Sequence, residues 1–376
     1  MLRYMTAGES HGKALITILD GVPAGLKLSA GDINGDLKLR MQGYGRGKRM
    51  AIESDKAELI AGCRKGRTIG SPVGIMVANK DFKIDKLPDV NCPRPGHADL
   101  AGLMKYRCPD ARDVLERASA RETAARVAAG AVAKKILAEF GIKILSHVTM
   151  LGGIEAGTGG LSYKKVATLL KGAKKIRCAD KEAEKLMCEE IDNAAKAGDT
   201  LGGAFEVIVE GVPAGLGTYA QWDRRMDASL ARAVMSVPAV KAVSIGGGIE
   251  AAYEAGSIVH DEIAYSKQKK SFLRLSNNAG GIEGGITNGQ PVVIEGFMKP
   301  IATLGDALGT VNIKTKKDSK ASRERADVCA VGACGIVAEA VIAVELASAF
   351  LEKFGGDSIS EITSNYKAYK AQLRKL

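Results

Sequence analysis

Aromatic residues are scarce, at 5% of 376 residues. Proteins that hold single-stranded nucleic acid interleave aromatic stacking platforms with their cations, so the net charge of +11 argues for anions other than nucleic acid. Histidines number four, His11, His97, His147 and His260, and none stands at a spacing from Cys or Glu that suggests a metal. The seven cysteines contain no Cys-x-x-Cys pair and are odd in number, which argues against a disulfide framework or a zinc site and for reduced, mostly buried thiols. The opening MLRYMTAGESHGK lacks a charged segment followed by an apolar one, and no uninterrupted apolar run approaches bilayer length. A cytoplasmic chain with no membrane partner is therefore expected.

What is present suits a globular enzyme. Apolar residues make up 46% and charged residues 26%, with 45 glycines, and the length allows a large core. Much of the excess lysine lies between Lys164 and Lys196 among interspersed acids, which reads as a solvated face. Phosphorylated small molecules are the better class of partner for the remaining positive field.

The chain repeats itself. AGESHGKALITILDGVPAGL at 7–26 aligns without a gap on AGDTLGGAFEVIVEGVPAGL at 197–216. Gly66-x-Thr68-x-Gly70-x-Pro72-Val73-x-Ile75 recurs from Gly285 to Ile294, and Arg121-Glu122-x-Ala124 recurs as Arg323-Glu324-x-Ala326. The matches keep their order, so the sequence predicts one domain over 1–376 built from related halves, about 1–150 and 197–355, joined by a Lys-rich region near 155–196. Strands are expected at Ala14–Leu19 and Phe205–Val209, each followed by a GVPAGL turn. A helix is expected from Ser119, with Ser119 as cap and Glu122 reaching back to it, up to a stop at Gly141. Its counterpart is expected from Ala326 to about Phe354. Their Ala, Gly and Val content places both helices in the interior, between sheets.

His11 lies in Gly8-Glu9-Ser10-His11-Gly12 and His97 in Arg94-Pro95-Gly96-His97-Ala98-Asp99. The glycines admit a ligand close to the backbone. Arg117-Ala118-Ser119-Ala120-Arg121 sets two guanidinium groups and a hydroxyl at a helix start, where an anion is favoured. The alternative is that these arginines pair with Glu116 and Glu122. Arg40, Arg46, Lys48 and Arg49, around Gly43-Tyr44-Gly45-Arg46-Gly47, form a second basic cluster, expected on a flexible loop. Asn277 to Gly285 is a glycine-rich stretch that tight turns explain nearly as well as oxyanion binding.

Six ordered motifs, GESHG (8–12), GYGRG (43–47), RPGHAD (94–99), ERASARETA (116–124), SNNAGG (276–281) and RERADVCAVGA (323–333), resemble the chorismate synthase family over nearly the whole chain. The resemblance implies an α/β (α+β) fold, a β-α-β sandwich with antiparallel sheets, in a homotetramer. It implies a lyase that removes phosphate from 5-enolpyruvylshikimate 3-phosphate by 1,4-anti elimination, with reduced FMN and no net redox change. NADPH enters as a reductant, and the sequence leaves open whether the chain reduces its own flavin. Flavin contacts are carried over to Arg117, Ala118, Ser119, Pro238, Ala239, Gly284, Lys299, Pro300, Ile301, Ala302, Thr303 and Arg325. Arg40 and Arg46 resemble residues for pyridine nucleotide or substrate phosphate. His11, with Ser10 beside it, is implied as proton donor to the leaving phosphate, His97 as partner of the flavin ring, and Asp327 as the carboxylate working near flavin N5. An FMN/NADPH oxidoreductase with a net redox product is the competing reading.

The repeat adds an argument of its own. His11 aligns with Leu201 and Asp327 with Ala125, so each is a reactive group present in one half only. Asp327 is expected near a buried helix start, with a structural pair to Arg323 as the alternative.

Overall fold

The structure is a computed structural model that describes residues 1–47, 53–172, 175–268, 271–324 and 327–375. Among these residues two main antiparallel sheets form. The first holds β1 (Arg3–Ala7), β2 (Ala14–Asp20), β3 (Ala57–Ala61) and β4 (Val73–Ala78) in the order β1-β2-β4-β3. The second holds β5 (Lys143–Leu151), β6 (Ile154–Glu155), β7 (Gly203–Glu210), β8 (Val240–Ile245) and β9 (Val292–Met298) in the order β8-β9-β7-β5-β6. Without the short β6, the second sheet runs β5-β7-β9-β8, the same succession as the first.

Each GVPAGL turn is closed by a threonine in the same way. Leu26 N–H donates to Thr68 Oγ1 at 3.0 Å and that hydroxyl donates to the Pro23 carbonyl at 2.6 Å. In the other half Leu216 N–H donates to Thr287 Oγ1 at 2.8 Å, and Thr287 donates to the Pro213 carbonyl at 2.7 Å. Both threonines are buried, where a hydroxyl without partners would be costly.

Helices fill the space between the sheets: α1 (Ala30–Met41), α3 (Thr123–Glu139) and α5 (Val331–Phe354), with α2 (Arg112–Ala118) leading to α3 and α4 (Met226–Met235) beside the second sheet. One continuous core cluster joins the inner faces of both sheets to α1, α3, α4 and α5. The small residues of α3 explain its position. An added Cβ on Gly130 would lie 2.3 Å from the Cα of Ala340 on α5, so the two helix backbones approach as closely as only glycine permits. Thr17 of β2 ties the first sheet to α3 by donating to the Ala125 carbonyl at 2.9 Å. Alternation along β7 is weak because the strand is covered on both faces; the helix Tyr163–Leu170 lies over its outer side through Val166 against Leu145 and Ile208.

Two helix starts differ from the sequence expectation. Ser119 caps a short 3-10 turn, Ala120–Glu122, by accepting from Arg121 N–H, and α3 begins only at Thr123. Glu122 does not reach back to Ser119: it accepts from the Thr6 hydroxyl at 2.7 Å and from Arg126 at 2.9 Å. The helix expected from Ala326, a residue outside the described ones, begins only at Val331, with Asp327 to Ala330 ahead of it as loop. By length and mean hydropathy of 2.0 it matches a membrane span, although Glu339 and Glu345 interrupt its apolar run, but 83% of its most apolar window is buried within the protein.

Candidate functional site

The loop carrying Ser10 and His11 joins β1 to β2. Gly8 turns it with φ +111°, where a Cβ would come within 2.3 Å of the Ala14 carbonyl oxygen. Asn79, at the end of β4, donates to the carbonyls of Glu9 and Gly12 at 3.1 and 2.8 Å. The loop rests on α2: Ser10 N–H donates to the Glu116 carbonyl at 2.9 Å and His11 N–H to the Glu116 carboxylate at 2.7 Å. The same carboxylate lies 2.9 and 3.1 Å from His11 Nδ1. Glu116 is wholly buried, with Arg112 3.5 Å away. Burial pushes its carboxyl up, but the bonds from the His11 ring and amide outweigh that and hold it below the usual range. On the far side of the ring, Asp81 stands 4.0 Å from His11 Nε2. The Ser119 hydroxyl lies 3.3 Å from that of Ser10, so α2 brings Ser10, His11 and Ser119 together.

Arg40 lies on a helix, not on a mobile loop as expected from sequence. It occupies the last turn of α1, 4% exposed, donating to Thr123 Oγ1 and the Ala120 carbonyl at 2.9 Å each and to Asp55 at 3.4 Å. Burial lowers its guanidinium to about 10. Asp55 takes Arg121 on its other oxygen, at 2.5 Å, and Glu53 stands 3.8 Å from Arg121. The pairing drawn from sequence as the alternative therefore holds for Arg117 with Glu122 but not for Arg121. Arg121 pairs with Asp55 rather than Glu122, while Arg117 lies 4.0 Å from Glu122 and donates to the Gly8 and Thr6 carbonyls at 2.8 and 3.1 Å.

Asp327 sits in the loop before α5. Its oxygens accept from Gly47 N–H at 2.6 Å and from Arg46 at 3.0 Å. Arg323 pairs instead with Asp306 at 3.9 Å, both exposed, so the Arg323–Asp327 pair does not form. Lys48, Arg49 and Arg325 lie outside the described residues.

His97 has its own buried carboxylate. Asp99 Oδ1 lies 2.5 Å from His97 Nδ1, and Arg94 grips both Asp99 oxygens at 2.9 and 3.1 Å. Burial raises the Asp99 carboxyl, yet the His97 and Arg94 bonds drive it far below its ordinary value. Arg94 also donates to Thr303 at 2.9 Å, and Lys299 Nζ donates to the Gly96 carbonyl at 3.0 Å. Burial, then the Lys241 charge, lowers the Lys299 ammonium. Lys299 N–H donates to the Ala239 carbonyl at 2.9 Å, and the Ile301 carbonyl accepts from Thr200. The segment Lys299-Pro300-Ile301-Ala302-Thr303 thus runs between Ala239 and the His97 loop.

An open cleft of about 420 Å³ is lined by Arg117, Ala118, Ser119 and Pro238, together with Arg126 and Ser236. Two guanidinium groups and the hydroxyls of Tyr4, Thr6, Ser119 and Ser236 face one space, with the Glu122 carboxylate among them paired to Arg126, so the donors suit phosphate and sugar oxygens. Gly284 is apart from it: exposed at a hairpin tip, it follows Glu283, which lines a second cleft of about 400 Å³ with His260 and Asp261. Sequence reasoning missed Asp99 and Asp55 as partners of the reactive and basic groups, and offered Glu116 to Arg117 and Arg121 rather than to His11 and Arg112. Glu116 and Asp99 stood inside the motifs, while Asp55 had no local signal.

A family model described as chorismate synthase matches residues 2–351. A curated relative named chorismate synthase from Geobacter sulfurreducens is 52% identical over 392 aligned positions, and one from Solibacter usitatus 48% over 388, each alignment covering 100% of both chains. A solved structure titled "Crystal Structure of Chorismate Synthase" superposes with a TM-score of 0.83 at 41% identity, covering 100% of this chain and 99% of that one.

Proposed function

The chain belongs to the chorismate synthase family, a phosphate-eliminating lyase of the shikimate pathway, and we propose how its own residues carry out the reaction, loss of phosphate from 5-enolpyruvylshikimate 3-phosphate to give chorismate. The observation that carries the assignment of the site is the meeting of Ser10, His11 and Ser119 at α2, beside the cleft lined by Arg117, Ala118, Ser119 and Pro238.

His11 delivers a proton to the leaving phosphate, because its ring is fixed on one side by Glu116 and its other nitrogen, with Asp81 4.0 Å away, is the one left for a substrate oxygen. Ser10 and Ser119 orient that phosphate. Arg40 and Arg46 supply positive field for substrate or nucleotide phosphate, Arg40 from a fixed helical position. Asp327, oriented by Gly47 and Arg46, assists removal of the ring proton. His97 faces the cofactor ring from its loop.

The donors of the cleft, with Arg117, Ala118, Ser119 and Pro238 lining it, suit the phosphate and sugar oxygens of FMN; Ala239 and the segment Lys299-Pro300-Ile301-Ala302-Thr303 bonded to it are assigned to the cofactor by the family resemblance, as is Arg325, whereas Gly284 lies apart from this cleft. Reduced flavin held by these residues would supply electron density to the reacting substrate with no net redox change. NADPH is the proposed reductant. The chain is further read as one cytoplasmic domain of two related halves, supported by the shared strand order and the Thr68 and Thr287 clasps. In a homotetramer, exposed Ile258, Ile263, Phe272 and Leu275 offer apolar contact surface.

The test is an anaerobic assay with photoreduced FMN and then with NADPH alone. Phosphate release with chorismate formation and no stoichiometric NADPH consumption supports the lyase. Consumption of NADPH in proportion to product indicates a net oxidoreductase instead.

A further inference from the structure

The two histidines share a surrounding that neither the motifs nor the family name describes. Each presents Nδ1 to a carboxylate with no side-chain exposure, Glu116 for His11 and Asp99 for His97. Each carboxylate is also faced by an arginine of its own segment, Arg112 at 3.5 Å and Arg94 at 2.9 Å. Each accepts a backbone amide as well: His11 N–H at 2.7 Å on Glu116, and Arg94 N–H at 3.0 Å on Asp99. The two constructions occur on unrelated loops, one leaning on α2 and the other closed within six residues.

We infer that Glu116 and Asp99 are positioning residues that hold His11 and His97 with the proton on Nδ1, so that Nε2 of each ring is the nitrogen turned to the reactants. An ionised carboxylate only accepts hydrogen bonds, so a ring nitrogen 2.5–3.1 Å from one must carry the proton. Both carboxyls are held in the ionised form, against burial, by the donors around them. At His97 the Arg94 Nη2 also comes within 3.0 Å of Nδ1. Arginine is a donor and would favour a bare Nδ1, but that would set a lone pair against the ionised Asp99 at 2.5 Å. Asp99 decides the tautomer, and Arg94 acts by keeping Asp99 charged and in place.

The chemical consequence is a division of labour between the ring nitrogens. A neutral imidazole with Nδ1–H has a basic Nε2, which takes up a proton and passes it to an oxygen; with the tautomer reversed, Nε2 has no lone pair to offer. For His11 the charged groups around the ring are Glu116 and Arg112 from α2, Glu324 beyond Arg112 at 3.1 Å, and Asp81 with its partner Lys83 from the loop after β4. For His97 they are Asp99 and Arg94, with Lys299 reaching the neighbouring Gly96 carbonyl.

This inference rests on the catalytic reading of both histidines, and its test separates the two. In ¹⁵N-histidine NMR of the intact chain across neutral pH, Nδ1 of His11 and His97 should be protonated in every state, with signals assigned by loss in His11→Ala and His97→Ala. A bare Nδ1 at either ring overturns the inference for that histidine, without using any variant at the carboxylates. Glu116→Gln and Asp99→Asn should then shift each ring toward the Nε2–H form and lower kcat by on the order of 10²- to 10⁴-fold with KM little changed, and Glu116→Asp should restore part of it. An unchanged tautomer in a folded Glu116→Gln chain also overturns the role of Glu116. Near-normal turnover of His11→Ala with Nδ1–H present in the unaltered chain sinks the catalytic reading alone.

Discussion

Replacing Arg40 by alanine should unfold the protein more readily, not merely weaken the binding of an anion. The side chain is 4% exposed and bridges three places: α1, on which it sits, the 3-10 turn before α3 through the Ala120 carbonyl and Thr123, and Asp55. Removing one member of a buried charged network costs about 3–5 kcal/mol. Here two partners keep other bonds, since Asp55 retains Arg121 and the Ala120 carbonyl retains the Thr123 hydroxyl at 2.6 Å. The burial that lowers the Arg40 guanidinium to about 10 is also relieved. Both effects place the loss at the low end, about 3 kcal/mol. Urea unfolding should show a lower midpoint at unchanged slope, the sign that stability and not the unfolded state has moved. Arg40→Lys should recover only part of the loss, because an ammonium lacks the planar fork that reaches Thr123 and Ala120 together. A loss under about 1 kcal/mol with a raised KM would refute the reasoning and make Arg40 a mobile phosphate ligand.

Gly130→Ala should destabilise by about 1–3 kcal/mol through overpacking against Ala340, read as a fall in urea midpoint, whereas unchanged stability would mean that α3 and α5 separate freely. Glu339, buried on α5, accepts from Lys134 at 2.6 Å and from Ser146 N–H and hydroxyl at 2.7 and 2.6 Å; burial raises its carboxyl, but Lys134 and Arg177 bring it below the ordinary 4.5. A carboxyl lowered on folding contributes stability that is present above 4.5 and lost as pH falls through the folded value, so acid unfolding of the unaltered chain should be steeper below 4.5 than that of Glu339→Gln, and equal slopes would contradict the assignment. Asp327→Asn keeps an oxygen for Gly47 N–H and should leave the thermal melt nearly unchanged while cutting phosphate release by on the order of 10²-fold; normal turnover would remove Asp327 from the mechanism.

The strands around GVPAGL and the interior helices were readable because their signals are local: an apolar run before a turn, and a stretch too small in side chain to face water. Arg40 belongs to α1 rather than to a loop, and a local signal marks it. Ile33, Leu37 and Arg40 lie at helical spacing on the buried face of α1, and Ser29 with Asp32 forms a capping box; two glycines and the nearby GYGRG masked both. The capping pattern of Ser119 and Glu122 points to an earlier start for α3, but in the folded chain the distant Thr6 and, one turn on, Arg126 claim Glu122. The motifs marked the histidines, but their carboxylate partners follow from side-chain direction, which spacing alone does not give. Asp327 to Arg46 spans 281 positions, and such a pair is fixed only by the arrangement of both halves.

The seating of α5 against α3 has a consequence for the order in which the chain becomes stable. The inner faces of both sheets share one core with a helix that begins at Val331, so an emerging chain exposes the Ala and Gly face of α3 until more than 330 residues have been made. Contacts of such long separation close slowly, and until they do the first sheet lacks its proper cover. Chains ended before Val331 should therefore depend on chaperones or aggregate rather than persist as a folded first half, making α5 the step that commits the whole molecule.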